Sequence, residues 1–136
     1  MGQIKDVMTK NPTTCGREDS VTDAAKVMAQ QDVGPVPIVE GDRLVGLVTD
    51  RDIVVRVVAK GKDPQQTTLG DIASTDVVTV SPEEEFDSAL KLLAKHQVRR
   101  LPVVEGDRLV GIVAQADVAR TGSDQKTGEV VEQISR

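Results

Sequence analysis

Two short stretches of this chain carry residue types that can hold a charged ligand. The first is Gly46-Leu47-Val48-Thr49-Asp50-Arg51-Asp52. An apolar, β-branched run ends at Val48 and a helical pattern starts after Thr49, so the free amides and positive dipole end of a helix N-terminus fall beside a hydroxyl and a carboxylate. Thr49 can donate to a phosphate or ribose oxygen, and Asp52 can accept from both hydroxyls of a ribose diol. The same Thr-x-x-Asp spacing is that of a plain capping box, in which the two side chains serve the helix and no ligand is involved. The second stretch is His96-Gln97-Val98-Arg99-Arg100-Leu101-Pro102, with two adjacent arginines between a helix and a strand. Guanidinium forks suit phosphate. Ion pairing with the acidic surface of the chain is the competing use. His96 reads as a helix-end residue favoured by the dipole rather than as a catalytic base.

Little else in the chain points to chemistry. There is no P-loop, no G-x-G-x-x-G, no H-E-x-x-H and no nucleophile elbow. Cys15 is the single cysteine and His96 the single histidine, so no Cys/His metal site and no internal disulfide can be assembled within one chain. Cys15 reads as a small apolar filler, with a redox-sensitive thiol or an intermolecular disulfide as the sharper alternative. Glu83-Glu84-Glu85 reads as a solvated run that compensates a helix dipole. No enzyme is expected, because no activated nucleophile, base or metal cluster is visible.

The net charge of −5 argues against nucleic-acid binding, as does the absence of Trp and Tyr beside a lone Phe86. A planar ligand would have to be gripped by aliphatic groups. No apolar run approaches the roughly 18 residues of a membrane span, and the start Met1-Gly2-Gln3-Ile4-Lys5-Asp6 lacks a signal-peptide stretch. A cytoplasmic protein without membrane or nucleic-acid partners is the expectation.

The elements that must position the two stretches are written twice. Glu40-Gly41-Asp42-Arg43-Leu44-Val45-Gly46 returns unchanged as Glu105-Gly106-Asp107-Arg108-Leu109-Val110-Gly111. The same offset aligns Asp6 with Asp71, Thr14 with Thr79, Ala24 with Ala89, Pro37 with Pro102 and Asp52 with Asp117. One register held over roughly 50 positions means a duplication. Each copy reads as short strand, helix, two strands, helix. The first helix buries Val21, Ala24, Ala25 and Met28 in one copy and Phe86, Ala89, Leu90 and Leu93 in the other. Ser20 with Asp23 forms a capping box at the first, while Ser81-Pro82 with Glu84 competes as a start for the second. Val36–Val39 and Leu44–Val48 form a hairpin around Gly41-Asp42, as do Leu101–Val104 and Leu109–Val113 around Gly106-Asp107. In the second helix of copy one, Ile53, Val54, Val57 and Val58 are expected to face the core, with Gly61 closing it. The domain reading is repeat one at 1–60, a linker at 61–68, repeat two at 69–121 and a polar tail at 122–136.

Asp6-Val7-Met8-Thr9, Val36-Pro37-Ile38-Val39, Arg43-Leu44-Val45-Gly46-Leu47-Val48-Thr49-Asp50-Arg51-Asp52 and their second-copy equivalents resemble a tandem pair of cystathionine β-synthase (CBS) domains, a Bateman module. Thr-Asp-Arg-Asp-Ile-Val with His-Gln-Val-Arg-Arg is also similar to small stand-alone bacterial CBS-pair proteins of the hypoxic-response type. The resemblance implies an α+β fold of two pseudo-symmetric β-α-β-β-α repeats packed through their sheets, usually paired again as a homodimer. It implies clefts that often bind adenine nucleotides (AMP, ADP or ATP as a ligand, with no cofactor required). Thr49 and Asp52 would then hold phosphate and ribose, Arg99 and Arg100 would reach the phosphates, and Thr14, Val36 and Pro37 would lie near the adenine. The second copy keeps Asp117 but has Ala114 for the threonine, and its partner positions in the first copy, Gly34-Pro35, lack the charge of the arginines, so a weakened second site is expected. The function implied is a non-catalytic sensor that acts through an unknown regulated protein. The alternative is a ligand-independent stress or interaction protein with an empty cleft.

Overall fold

The computed structural model describes residues 2–119, so the polar tail at 122–136 lies outside the described residues. In chain order the elements are a 3₁₀ turn (Ile4–Asp6), β1 (Thr9–Lys10), α1 (Val21–Gln31), β2 (Val36–Glu40), β3 (Arg43–Val48) and α2 (Asp50–Ile53). A π-helical turn (Val54–Val58), α3 (Leu69–Ile72), α4 (Phe86–His96), β4 (Arg100–Glu105), β5 (Arg108–Ala114) and α5 (Gln115–Ala119) follow. The chain forms two compact units. One is Thr13–Val77; the other joins the opening segment through Pro12 to the chain from Val78 onward. The sequence repeats and the compact units therefore divide the chain differently.

In the Thr13–Val77 unit, β2 and β3 form an antiparallel hairpin whose register runs from Val36 opposite Val48 to Glu40 opposite Arg43. Cys15 adds a parallel bridge at Ile38, and Ser74 adds an antiparallel bridge at Leu47. α1 begins as its sequence requires: the Ser20 hydroxyl accepts from the Asp23 N–H at 3.1 Å, and the Asp23 carboxylate accepts from the Ser20 N–H at 3.2 Å. The core gathers Val21, Ala24, Val36, Ile38, Val48, Val57, Leu69 and Ile72 around Cys15. Ala25, expected on the buried face of α1, is exposed. The apolar stripe is narrower than the pattern suggested, and a methyl at its edge loses little by facing water.

The second unit repeats this plan. β4 and β5 pair from Arg100 opposite Ala114 to Glu105 opposite Arg108. Val80 bridges Val103 in parallel, and β1 pairs with β5 through Thr9 opposite Ile112. Ile4, Phe86, Ala89, Leu90, Leu93, Leu101, Val103, Val113 and Val118 fill its core. α4 starts at Phe86 after Glu85, which makes no side-chain cap, so the Ser81-Pro82 signal does not open it. The opening residues of each repeat thus complete the unit built on the other repeat's hairpin: Ile4 and Thr9 join the second hairpin, and Leu69 and Ser74 join the first.

Two glycines record how close those opening residues come. A Cβ on Gly46 would stand 3.1 Å from the Ser74 carbonyl, and one on Gly111 would stand 2.8 Å from the Thr9 carbonyl and the Met8 sulfur. The hairpin turns also need glycine. Gly41 and Gly106 take φ of 62° and 61° at the first of two turn residues, the position that favours glycine in a tight hairpin. Glu40 pairs with Arg43 at 3.1 Å and Glu105 with Arg108 at 2.9 Å across these turns. Exposed pairs of this kind contribute at most about 1 kcal/mol, so the repeated heptapeptide is turn and strand scaffold.

The helix after β3 departs from expectation. Val57 is buried, whereas Val54, Val55 and Val58 are 57%, 43% and 65% exposed. The reason is its winding. The Ala59 N–H donates to the Val54 carbonyl and the Lys62 N–H to the Val57 carbonyl, five residues back in each case. A π-type turn breaks the 3.6-residue phase that would have aligned Val54 and Val58 with Val57.

Candidate functional site

Thr49 follows the last residue of β3 with extended backbone (φ −118°, ψ 164°) and caps α2. Its Oγ1 accepts from the Asp52 N–H at 3.1 Å, and Asp52 Oδ2 accepts from the Thr49 N–H at 2.9 Å. The capping box that the spacing allowed is therefore present. It does not exhaust either side chain. A threonine hydroxyl that accepts at oxygen keeps its proton to donate, and a carboxylate that accepts at one oxygen keeps the other. Asp52 Oδ1 lies 3.9 Å from Arg56 Nε, with the Asp52 side chain 17% exposed. The box therefore leaves one donor and one acceptor within a single corner.

The corresponding corner of the other unit is half built. The Ala114 N–H donates to Asp117 Oδ2 at 3.1 Å, but Ala114 has no hydroxyl to return the bond or to offer a ligand. The backbone that leads into each corner is held alike. The Asp50 N–H donates to the Gly34 carbonyl at 3.2 Å, and the Gln115 N–H to the Arg99 carbonyl at 2.7 Å. Arg99 is exposed, and Arg100 is half-buried at the start of β4 opposite Ala114. Among the described residues no carboxylate pairs with either guanidinium.

The structure thus brings Thr49 together with Asp52. Thr14, Val36 and Pro37 are in the same unit, whereas Arg99, Arg100 and Asp117 are in the other. Val36 is fully buried in the core opposite Val48, Pro37 is buried beside it, and Thr14 is half-buried next to the Cys15 bridge. Arg56 was not singled out from the sequence. Its signal was present in the Asp52-x-x-x-Arg56 spacing, one helical turn. Its second contact, from Nη1 to the Ile72 carbonyl at 2.6 Å, has no sequence signal.

Cys15 is buried against the hairpin, and burial, reinforced by the negative charges of Asp19 and Asp23, pushes its thiol pKa up. A thiol held neutral is a poor nucleophile and a poor metal ligand. Among the described residues no group of three or more His, Cys, Asp or Glu is placed to hold a metal ion, and none of the helices is long and apolar enough to cross a membrane.

Comparison with known proteins gives these features a family. The CBS domain pattern matches residues 4–59 and 69–124. CBS domain-containing protein YhcV of Bacillus subtilis is 40% identical over 136 residues, which is 99% of this chain and 96% of that protein. Hypoxic response protein 1 of Mycobacterium tuberculosis is 40% identical over 121 residues, 88% of this chain and 85% of that one. A crystal structure of Hypoxic Response Protein I with two coordinated zinc ions superposes with a TM-score of 0.82 at 39% identity, covering 90% of this chain and 100% of that chain. The CBS domain pair of MJ0100, in complex with 5′-methylthioadenosine and S-adenosyl-L-methionine, superposes with a TM-score of 0.78 at 30% identity, covering 89% of this chain and 95% of that chain. With two matches in tandem across nearly its whole length, the chain belongs to the CBS domain family as a CBS pair.

Proposed function

We propose that the protein is a non-catalytic sensor that binds an adenine nucleotide of the AMP, ADP or ATP class at the Thr49–Asp52 corner. The observation that carries this is the state of the corner once its box is closed: the Thr49 hydroxyl proton, and Asp52 Oδ1 with only the 3.9 Å pair to Arg56, can meet phosphate and ribose. The adenosine-type ligands of the MJ0100 pair support the ligand class. Arg99 and Arg100 are assigned to the phosphates on the family resemblance, and their lack of a carboxylate partner among the described residues supports it. Thr14 is the candidate at the adenine end, with Val36 and Pro37 as the rigid strand beside it. The Asp117 corner, without a hydroxyl at Ala114, binds more weakly. Output passes to a regulated partner protein or through a homodimer. The exposed Val54, Val55 and Val58 support the dimer, because the aligned residues of the second repeat, Ala119, Arg120 and Ser123, offer no such apolar set.

Calorimetry with AMP, ADP, ATP and S-adenosylmethionine tests the reading, with light scattering on the same samples for the dimer. Loss of one charge-assisted hydrogen bond, about 1.5–3 kcal/mol, weakens binding by about one to two decades in Asp52→Ala and in Arg100→Ala. Parent-like binding by both variants refutes the site. No heat with any nucleotide favours the second reading, a ligand-independent interaction protein, in which the capping box is the whole role of Thr49 and Asp52.

A further inference from the structure

Arg56 has contacts at both ends. Its Nε faces Asp52 Oδ1 at 3.9 Å, and its Nη1 donates to the Ile72 carbonyl at 2.6 Å, sixteen residues along the chain. Ile72 is the last residue of α3, because Ala73 turns to extended backbone (φ −67°, ψ 145°). The Ile72 carbonyl consequently lacks a helical donor, and a guanidinium supplies one with the charge that a helix C-terminus favours. Just beyond, Ser74 completes this unit's sheet by exchanging two 2.9 Å bonds with Leu47, two residues before Thr49. A single side chain therefore links the candidate ligand carboxylate to the segment that opens the second repeat. The second repeat has Thr121 and no arginine at the aligned position.

We propose that Arg56 is a positioning residue that couples the Thr49–Asp52 corner to the Leu69–Ser74 segment. The proposal deepens the nucleotide reading and rests on it for its ligand arm only. The coupling is mutual ordering. Asp52 is held at Oδ2 by the Thr49 N–H, so its Oδ1 orients the half-exposed guanidinium, and the oriented guanidinium holds the Ile72 carbonyl. A diol that donates to Asp52 further fixes the carboxylate, and with it Arg56 and the end of α3. A ligand with that preference for the ordered arrangement shifts the segment toward it.

Hydrogen exchange of the Ala73 and Ser74 amides in the full chain reads the coupling through a double-mutant cycle of Arg56→Met and Asp52→Asn. Asparagine can still accept from the Thr49 N–H, so the cap survives while the charge facing Arg56 is lost. Arg56→Met is expected to speed exchange about 3–10-fold and Asp52→Asn about 2–5-fold, with the double variant no faster than Arg56→Met alone. Parent rates in Asp52→Asn, or effects that multiply in the double variant, overturn the proposal. Arg56→Lys keeps the charge but not the fork, and is expected to behave like methionine; full restoration by lysine overturns a two-ended link. With saturating AMP, exchange slows in the parent and not in Arg56→Met, and equal slowing in both overturns the coupling. A parent that binds no AMP removes the nucleotide reading alone, because the ligand-free cycle still decides the link.

Discussion

Replacing Ala114 with threonine uses the duplication as its own control. At Thr49 the box is complete, with bonds of 3.1 and 2.9 Å. At Ala114 one bond is already in place, the Ala114 N–H to Asp117 Oδ2 at 3.1 Å. By its alignment with Thr49, a hydroxyl at position 114 is expected to accept from the Asp117 N–H as Thr49 Oγ1 accepts from the Asp52 N–H at 3.1 Å. A helix-capping side chain contributes about 1 kcal/mol. Thr49→Ala is expected to lose about that much and Ala114→Thr to gain about 0.5–1 kcal/mol. For a chain of this length 1 kcal/mol corresponds to about 3 °C in melting temperature. Urea unfolding and calorimetric melting of both variants and of the double variant read these changes. The double variant is expected to match the parent to within about 0.5 kcal/mol, since the bonds of each box close among its own residues. The reasoning fails if Thr49→Ala costs less than about 0.3 kcal/mol, a loss well below that of a working cap. It fails equally if Ala114→Thr destabilises, since that would mean the half-built corner does not tolerate the missing group. The same variant bears on binding: if the absent hydroxyl is what weakens the Asp117 corner, Ala114→Thr strengthens a second nucleotide step in calorimetry.

Two further outcomes follow from the backbone and from Cys15. Asp32 and Gln97 close α1 and α4 at φ of 54° and 52°, where a Cβ is strained and glycine is not. Gln97→Gly is expected to stabilise by about 0.5–1 kcal/mol in urea unfolding, and Asp32→Gly by less, because aspartate tolerates this region better; destabilisation by either would mean the side chain has a role the backbone does not show. The Cys15 thiol is raised above its ordinary range by burial first and by Asp19 and Asp23 second. A group whose pKa is raised on folding contributes fully below its unfolded value, and stability is lost as pH climbs through the folded one. Iodoacetamide is therefore expected to label Cys15 slowly in the native protein at pH 8.5 and rapidly in urea, and the protein to lose stability at alkaline pH. Equal labelling rates in the two states would contradict the burial argument.

Much of the fold was legible because its signals are local. The Ser20–Asp23 and Thr49–Asp52 boxes, the Gly41 and Gly106 turns and the Phe86, Ala89, Leu90, Leu93 stripe all depend on residues within a turn or two of one another, and each formed as its pattern required. Val54 and Val58 did not follow the pattern. Helical periodicity presumes 3.6 residues per turn, and the five-residue bonds from Ala59 and Lys62 break that phase after Ile53. The candidate site was legible in part. Thr49 and Asp52 are three positions apart in one corner, whereas the place of Arg56 depends on a carbonyl sixteen residues away.

The sequence by itself determined the duplication, the α+β character and the family. These follow from repeated spacing and from the local choice of turn, cap and apolar residue. It also carried the asymmetry between Thr49 and Ala114, since a missing hydroxyl is visible without coordinates. Only the tertiary structure decided that the first dozen residues complete the second hairpin's unit while Leu69 to Ser74 complete the first. An apolar pattern such as Ile4 and Val7, or Leu69 and Ile72, says that a face must be buried and is silent about against what. Gly46 and Gly111 make the point physically: each leaves room for a passing backbone, and only the folded chain shows whose backbone it is.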